Sequence, residues 1–119
     1  MRGIFALAAL GLSISTVAAQ QPQQVTIGQL IDLSYDNRYM LNHIGSTWDG
    51  ISWTTAYVDV TYGLKIICIP GKLVIGDETA RDFLANFIKE DQSRRDLPVS
   101  ELGYLLIQAG QATFPCSDP

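Results

Sequence analysis

The sequence contains few of the histidine and cysteine residues that bind metal ions in proteins. It has one histidine, His43, and two cysteines among 119 residues, and the acidic residue nearest to His43 is Asp49. A protein zinc site takes three or four cysteine, histidine or acidic ligands at short, characteristic spacings. No such spacing is present, so we expect no metal and no cofactor.

Catalytic patterns are also missing. Serine, threonine and tyrosine are frequent, but none has a base at a spacing known from nucleophilic catalysis. Neighbouring carboxylates occur at Asp77-Glu78 and Glu90-Asp91, where helix capping and a solvated loop explain them without acid/base chemistry. There is no glycine-rich phosphate loop. The sequence therefore predicts that the protein is not an enzyme.

Basic residues are scarce. Eight Lys and Arg stand against twelve Asp and Glu, a net charge of −4, and loss of Arg2 with an N-terminal leader leaves −5. An acidic domain is a poor ligand for nucleic acid or an anionic membrane. An acidic surface favours binding to a basic protein, or it serves only to keep the protein soluble.

The apolar run near the N-terminus, Ile4 to Leu12, is too short to span a bilayer. It follows Arg2 and leads to the small residues Val17-Ala18-Ala19 before a polar glutamine tract. This order is typical of a secretory signal peptide over residues 1–19. We expect export and no membrane anchor after cleavage; a retained N-terminal anchor is the alternative.

Export affects the expected oxidation state of the two cysteines, Cys68 and Cys116. In an oxidising compartment a single pair of cysteines is usually bonded, although a buried pair of free thiols is the alternative. A Cys68–Cys116 bond would close 48 positions of chain, which the chain-entropy model values at about 4 kcal/mol. We therefore expect the reduced protein to be largely unfolded.

Apolar residues at helical spacing predict three helices after a flexible lead-in over 20–25. The first is 27–35, with Thr26 and Gln29 as a capping box. The second is 78–90, capped by Asp77, with the clearest apolar face of the chain. The third is 99–112, which begins just after Pro98. Pro70-Gly71 is typical of a turn, and the solvated stretch 90–96 of a loop.

The segment 47–64 is ambiguous. Its threonine, tyrosine and valine content favours a strand, whereas a less regular 3.6-residue spacing favours a helix that is apolar on two sides, as a buried central helix is. Trp48, Trp53 and Tyr57 lie here, either as a ligand platform or, more often for such clusters, as core. Residue physics alone leaves helix and strand open.

Two stretches of mixed charge are candidate contacts for a partner. They are the segment 71–77, with Lys72 and Asp77, and the loop 90–96, with Glu90, Asp91, Arg94 and Arg95. Exposed loops carry binding residues more often than cores do, although such loops are usually only solvated.

The motifs Cys68-Ile69-Pro70 and Phe114-Pro115-Cys116, with two amphipathic helices between them, resemble the Rap/Tai family of type VI secretion immunity proteins. The segment Val25 to Leu30 is similar to the family's first helix. The resemblance implies an all-α fold, here a small four-helix domain over 26–119 closed by one disulfide, and it favours a helix for 47–64.

The resemblance also implies a function. Such proteins are exported, many form homodimers, and studied members bind and block secreted peptidoglycan amidases in the periplasm, which is therefore the expected location of this protein. Members commonly carry a further cysteine pair, which this chain replaces by Ser34 and Thr54. A periplasmic stress or chaperone-like protein without a toxin partner is the alternative.

Overall fold

The structure, a computed structural model, describes residues 24–117. This part of the chain folds into four α-helices and contains no strand, which confirms the predicted all-α class. The predicted signal peptide and most of the predicted lead-in lie outside the described residues. The α-helices are α1 (Ile27–Ser34), α2 (Arg38–Tyr62), α3 (Asp77–Lys89) and α4 (Leu102–Thr113), with 3-10 helices at Gln92–Asp96 and Val99–Glu101.

Helix α1 begins at the predicted capping box. The Gln29 amide donates to the Thr26 hydroxyl at 3.2 Å, and the Thr26 amide donates to Gln29 Oε1 at 3.0 Å. Both otherwise unpaired amides are thereby satisfied. The residue before the box, Val25, packs against the core and accepts a hydrogen bond from the Val99 amide. Val25, the last residue of the predicted lead-in, therefore belongs to the folded domain.

Helix α2 begins at Arg38, nine residues before the predicted start at 47. The Asn37 side chain accepts from the Tyr39 and Met40 amides and supplies the N-terminal cap. The helix therefore includes residues 38–46, which lie before the predicted segment 47–64. Helix α2 ends at Gly63, whose φ of 69° is the left-handed conformation that glycine adopts without strain.

Helix α3 matches its predicted range within one residue at each end. Its cap is Gly76 and not Asp77, which is the first helical residue. The Asp77 carboxylate instead lies against Gly45 of α2, where a Cβ would overlap it. The prediction that Asp77 caps the helix is wrong because this packing contact fixes the side chain elsewhere.

The predicted loop 90–96 and the start of the last helix are 3-10 helices. The first, Gln92–Asp96, packs against α1, and the second, Val99–Glu101, leads into α4. The Ile27 amide donates to the Leu97 carbonyl at 2.8 Å. These contacts hold residues 92–101 against α1.

The core lies between α1, α3, α4 and the N-terminal half of α2. Trp48 is 2% exposed, and its ring meets that of Phe83 edge-on at 4.9 Å between centroids. The other large, fully buried side chains are all aliphatic: Ile27, Leu30, Ile44, Leu84, Ile88, Leu105 and Leu106. The second half of α2, by contrast, carries no buried residue after Trp48.

The Cys68–Cys116 disulfide is present, with its Cα atoms 5.0 Å apart. It fastens the connection between α2 and α3 to the residues that follow α4. The Cys68 amide donates to the Phe114 carbonyl at 3.0 Å, and Ile67 and Ile69 pack against the core on either side of the cysteine. The bond thus holds the segment between α2 and α3 against one side of the helical core.

Gly110 in α4 lies directly beneath the Trp48 ring. A Cβ here would stand 2.9 Å from Ile67 Cδ1 and 3.0 Å from Trp48 Cζ3. We expect Gly110→Ala to lower the free energy of unfolding by about 1–3 kcal/mol through overpacking, despite the gain of about 1 kcal/mol in helix propensity. Chemical denaturation measures this difference.

Gly103 on the same helix provides the matched control. The nearest atom to its Cβ position, Thr47 Cγ2, is 4.0 Å away, so Gly103→Ala should stabilise the domain by about 0.5–1 kcal/mol. Equal effects at the two glycines would contradict the packing assigned to Gly110.

Candidate protein-binding surface

The charged segment predicted for partner contact is largely engaged within the domain. Asp91 begins the 3-10 helix and accepts from the Ser93 hydroxyl at 2.6 Å and the Ser93 amide at 3.1 Å. The hydroxyl bond, followed by the amide bond, lowers the pKa of the Asp91 carboxyl. The charged form of Asp91 therefore serves as a helix cap. Neighbouring Glu90 is the C-terminal cap residue of α3 and is exposed.

The two arginines of this segment hold it against the helices. Arg94 donates to the Phe87 carbonyl at 3.0 Å and stacks 4.0 Å over the Phe87 ring. Arg95 pairs with Asp32 of α1 at 2.6 Å and lies across Gly28. Both side chains are half-buried, so their planar groups contact the domain itself.

The other predicted contacts, Lys72 and Asp77, lie elsewhere. Lys72 is exposed in the turn closed by a hydrogen bond from the Leu73 amide to the Pro70 carbonyl. Asp77 and Glu90 lie at opposite ends of α3, about 20 Å apart at 1.5 Å per residue. The structure therefore does not bring the six predicted residues together in one patch.

His43 and Asp49 both lie exposed on α2. Within residues 24–117, no three His, Cys, Asp or Glu side chains are grouped closely enough to hold a metal ion. No helix of that range combines the length and hydropathy needed to cross a bilayer.

The aromatic cluster of the central helix is divided between core and surface. Trp48 is buried, whereas Trp53 is 79% and Tyr57 62% exposed, and Val60 on the next turn is 88% exposed. The interpretation of the cluster as core is therefore wrong for Trp53 and Tyr57. We call the surface formed by Gly50, Trp53, Tyr57 and Val60 the α2 outer face.

The α2 outer face is uncharged. The one charged residue between Gly50 and Val60 is Asp59, which lies on another side of the helix, 3.6 Å from Lys65. Tyr57 is oriented by an edge-on contact with Tyr62, 6.4 Å between ring centroids. Exposed aromatic side chains are typical anchors of protein interfaces.

Beside this face lies an open apolar groove of about 480 Å³. One wall is α2, and the other walls are Ile66, two residues before Cys68, and Ile107 of α4. This α2 groove is lined by Thr47, Gly50, Ile51, Thr54, Thr55, Ile66 and Ile107. Its size suits one or two large apolar side chains of a bound protein.

Ser34 and Thr54 do not adjoin one another. Ser34 is buried, donates its hydroxyl to the Ile31 carbonyl at 2.5 Å and lines a polar pocket with Leu41. Thr54 lies more than three turns further along α2, in the groove, which is about 20 Å from Leu41 at 1.5 Å per residue. Cysteines at these two positions could not bond to each other without a rearrangement of the fold.

Neither protein-family models, nor curated proteins, nor solved structures match the chain. Ile66 and Ile107 were not singled out in the sequence, because apolar residues at helical or extended spacing are usually core. The available signal was the excess of apolar positions on two sides of residues 50–64.

Proposed function

We propose that this is a periplasmic immunity-type protein, which binds a secreted peptidoglycan amidase of a type VI secretion system and blocks its active-site cleft. The α2 groove is the observation that carries the proposal. It is an open apolar concavity on a helical scaffold, and such a site accepts an anchoring side chain from a protein partner.

The scaffold supports inhibition by steric occlusion. The groove walls come from α2, from α4 and from the connection held by the Cys68–Cys116 bond, so they need little ordering on binding, which saves conformational entropy. The acidic charge of the chain favours approach to a basic surface. The resemblance at Cys68-Ile69-Pro70 and Phe114-Pro115-Cys116 supplies the class of partner.

Thr54→Arg is the variant that tests the groove. Thr54 is exposed and lines the groove, so an arginine there would fill the concavity while leaving the core intact. We expect the variant to inhibit the cognate amidase at least 10-fold less well, about 1.4 kcal/mol of binding free energy. Hydrolysis of purified peptidoglycan by the co-encoded amidase, titrated with oxidised protein, measures the loss.

Thr61→Arg is the matched control, since Thr61 is an exposed threonine of the same helix outside the groove. It should inhibit as the unaltered protein does. Failure of the unaltered protein to bind or inhibit any co-encoded or sibling cell-wall hydrolase would overturn the proposed function. Equal inhibition by both variants would show that the amidase contacts a surface other than the α2 groove.

A second candidate function, a periplasmic holdase, is favoured by the α2 outer face, because exposed Trp53, Tyr57 and Val60 are the kind of surface that captures unfolded chains. A pull-down from periplasmic extract distinguishes the two functions. Specific recovery of one hydrolase supports the inhibitor, and recovery of many unrelated unfolded proteins supports the holdase.

A further inference from the structure

A second concavity lies at the turn between α1 and α2, beside the first turns of α3, and we call it the turn pocket. It has a volume of about 410 Å³ and is lined by residues 34–38, by Leu41, and by Glu78 and Arg81 of α3. Leu41 is its one aliphatic lining residue, so the turn pocket is polar, unlike the α2 groove. Leu41 is about 20 Å from Thr54 at 1.5 Å per residue, so the two sites are separate.

The guanidinium group of Arg81 is held in place within the turn pocket. Its central carbon lies 4.1 Å from the centroid of the Tyr35 ring, and the side chain is 12% exposed. Its Nε donates to Asp82 Oδ1 at 3.2 Å, whereas its two Nη atoms donate to no residue of 24–117. No side-chain nitrogen in that range is both buried and unpaired, so the Nη atoms are open to the pocket. A planar guanidinium in a fixed orientation matches the two oxygens of a carboxylate.

The turn pocket is lined by charges of both signs that do not pair with one another. Arg38 and Arg81 are the cations, and Asp36 and Glu78 are the anions. Among residues 24–117, neither of these carboxylates lies within ion-pair distance of a basic side chain. Glu78 and Arg81 are three positions apart on α3, which places their Cβ atoms about 5–6 Å apart on one face. Neighbouring, unpaired charges of opposite sign fit a small molecule that bears both.

We propose that the turn pocket binds the zwitterionic group of an α-amino acid. The ligand carboxylate accepts from the Arg81 Nη atoms, and the ligand ammonium faces the Glu78 carboxylate. Asn37 supplies further donors: its Oδ1 accepts from the Tyr39 and Met40 amides, which fixes the side chain and leaves its Nδ2 hydrogens for the carboxylate. Charge-assisted hydrogen bonds of this kind are stronger than neutral ones.

The turn pocket recognises the zwitterion and not the side chain of the ligand. Leu41 is 8% exposed and offers the one aliphatic contact in a concavity that is open to solvent. The same group is present in a free amino acid and in a peptide with a residue linked through its side-chain carboxyl. Both sources therefore carry the chemistry that the pocket binds.

Heteronuclear NMR of isotope-labelled, oxidised protein tests the site with one probe from each source, L-alanine and γ-L-glutamylglycine. We expect saturable shifts of the Arg81 Nε–H and Asn37 side-chain amide signals. Tighter binding of the peptide would assign the site to peptide-borne zwitterions, and equal or weaker binding would assign it to free amino acids. Shifts that saturate with neither probe would overturn the proposal.

Capped analogues of alanine test the need for both charges. N-acetyl-L-alanine lacks the ammonium, and L-alaninamide lacks the carboxylate. Each should bind at least about 10-fold more weakly than L-alanine, since each loses a charge-assisted interaction. Binding of either analogue as tightly as L-alanine would show that the pocket does not bind a zwitterion.

Glu78→Gln removes the carboxylate that faces the ammonium while keeping the size of the side chain. Glu78 is exposed, so the fold should be unchanged by circular dichroism, and L-alanine should bind at least about 10-fold more weakly. Glu101→Gln is the matched control, because Glu101 is exposed and lies outside the turn pocket; it should bind as the unaltered protein does. Equal affinities of the two variants would overturn the placement of the ammonium.

Arg81→Lys keeps the positive charge but loses the planar pair of donors. We expect L-alanine to bind at least about 10-fold more weakly to a variant that circular dichroism shows to be folded. Unchanged affinity would overturn the placement of the carboxylate on the Nη atoms. Glu78→Gln keeps the proposal testable if Arg81→Lys does not fold. These titrations need no amidase, so their outcome is independent of the proposed function.

Discussion

Replacement of Cys68 and Cys116 by serine is expected to lower the free energy of unfolding by about 4 kcal/mol, the chain-entropy value for a closed span of 48 residues. A domain of this size has a total stability of about 5–15 kcal/mol, so the loss removes between about a quarter and four fifths of it. Urea denaturation followed by far-UV circular dichroism measures the change.

The structure shows why so much depends on one bond. The chain between α2 and α3 contains no helix, and Ile67 and Ile69 reach the core only if this segment stays against α4. One backbone hydrogen bond, from the Cys68 amide to the Phe114 carbonyl, accompanies the disulfide there. Without the covalent link, both the segment and the end of α4 are expected to separate from the core, since their few contacts do not offset the entropy gained.

A reductant provides the control. It should destabilise the unaltered protein by the same amount and leave the Cys68→Ser, Cys116→Ser double variant unchanged. A double variant within 1 kcal/mol of the unaltered protein would show that the helical core is sufficient by itself.

Trp48→Ala is expected to lower the free energy of unfolding by about 3–5 kcal/mol, as large-to-small substitutions of buried aromatic residues do. Trp48 is 2% exposed, meets Phe83 edge-on and covers Gly110. Its removal leaves a cavity where three helices meet, and their backbones cannot close it without losing other contacts. Thermal or urea unfolding provides the measurement.

The chain has two tryptophans, both on α2, and this gives a matched control. Trp53 is 79% exposed, so Trp53→Ala should change the stability of the monomer by no more than about 0.5 kcal/mol. The comparison is made at low protein concentration, where association does not contribute. Similar losses for the two variants would contradict the placement of Trp53 on the surface.

The sequence predicted helices wherever their determinants were local. The capping box of Thr26 and Gln29 fixed the start of α1, and the apolar residues of α3 recur at the helical period on one face. Periodicity and capping depend on residues within one or two turns, so a single sequence contains all the information they need.

The start of α2 was missed because two local signals conflicted. Asp36, Asn37 and Arg38 form a polar stretch typical of a loop, and they hide the fact that Asn37 is a cap. Leu41, Ile44 and Trp48 carry the helical spacing that indicates the true start. The exposed polar residues between them, His43 among them, obscured it.

The six charged residues predicted to contact a partner were chosen because loops are exposed. The structure shows that the charges of Asp91, Arg94 and Arg95 already have partners within the domain. Their possible role in binding stays a prediction. Such pairings join residues distant in sequence, for instance Arg95 and Asp32, and no local pattern indicates them.

The sequence by itself predicted helices α1, α3 and α4 and favoured a bond between the two cysteines, because capping, short-range periodicity and cysteine count indicate these properties. The all-α class also needed the family resemblance, since the residues of 47–64 left helix and strand open. Only the tertiary structure decided which face of α2 is buried. Residues 50–64 are apolar on two sides, and each side alone would make a satisfactory core face. The described chain has too few other elements to cover both, so Ile51 and Thr55 face the segment fastened by Cys68 and Cys116, and Trp53, Tyr57 and Val60 face outward.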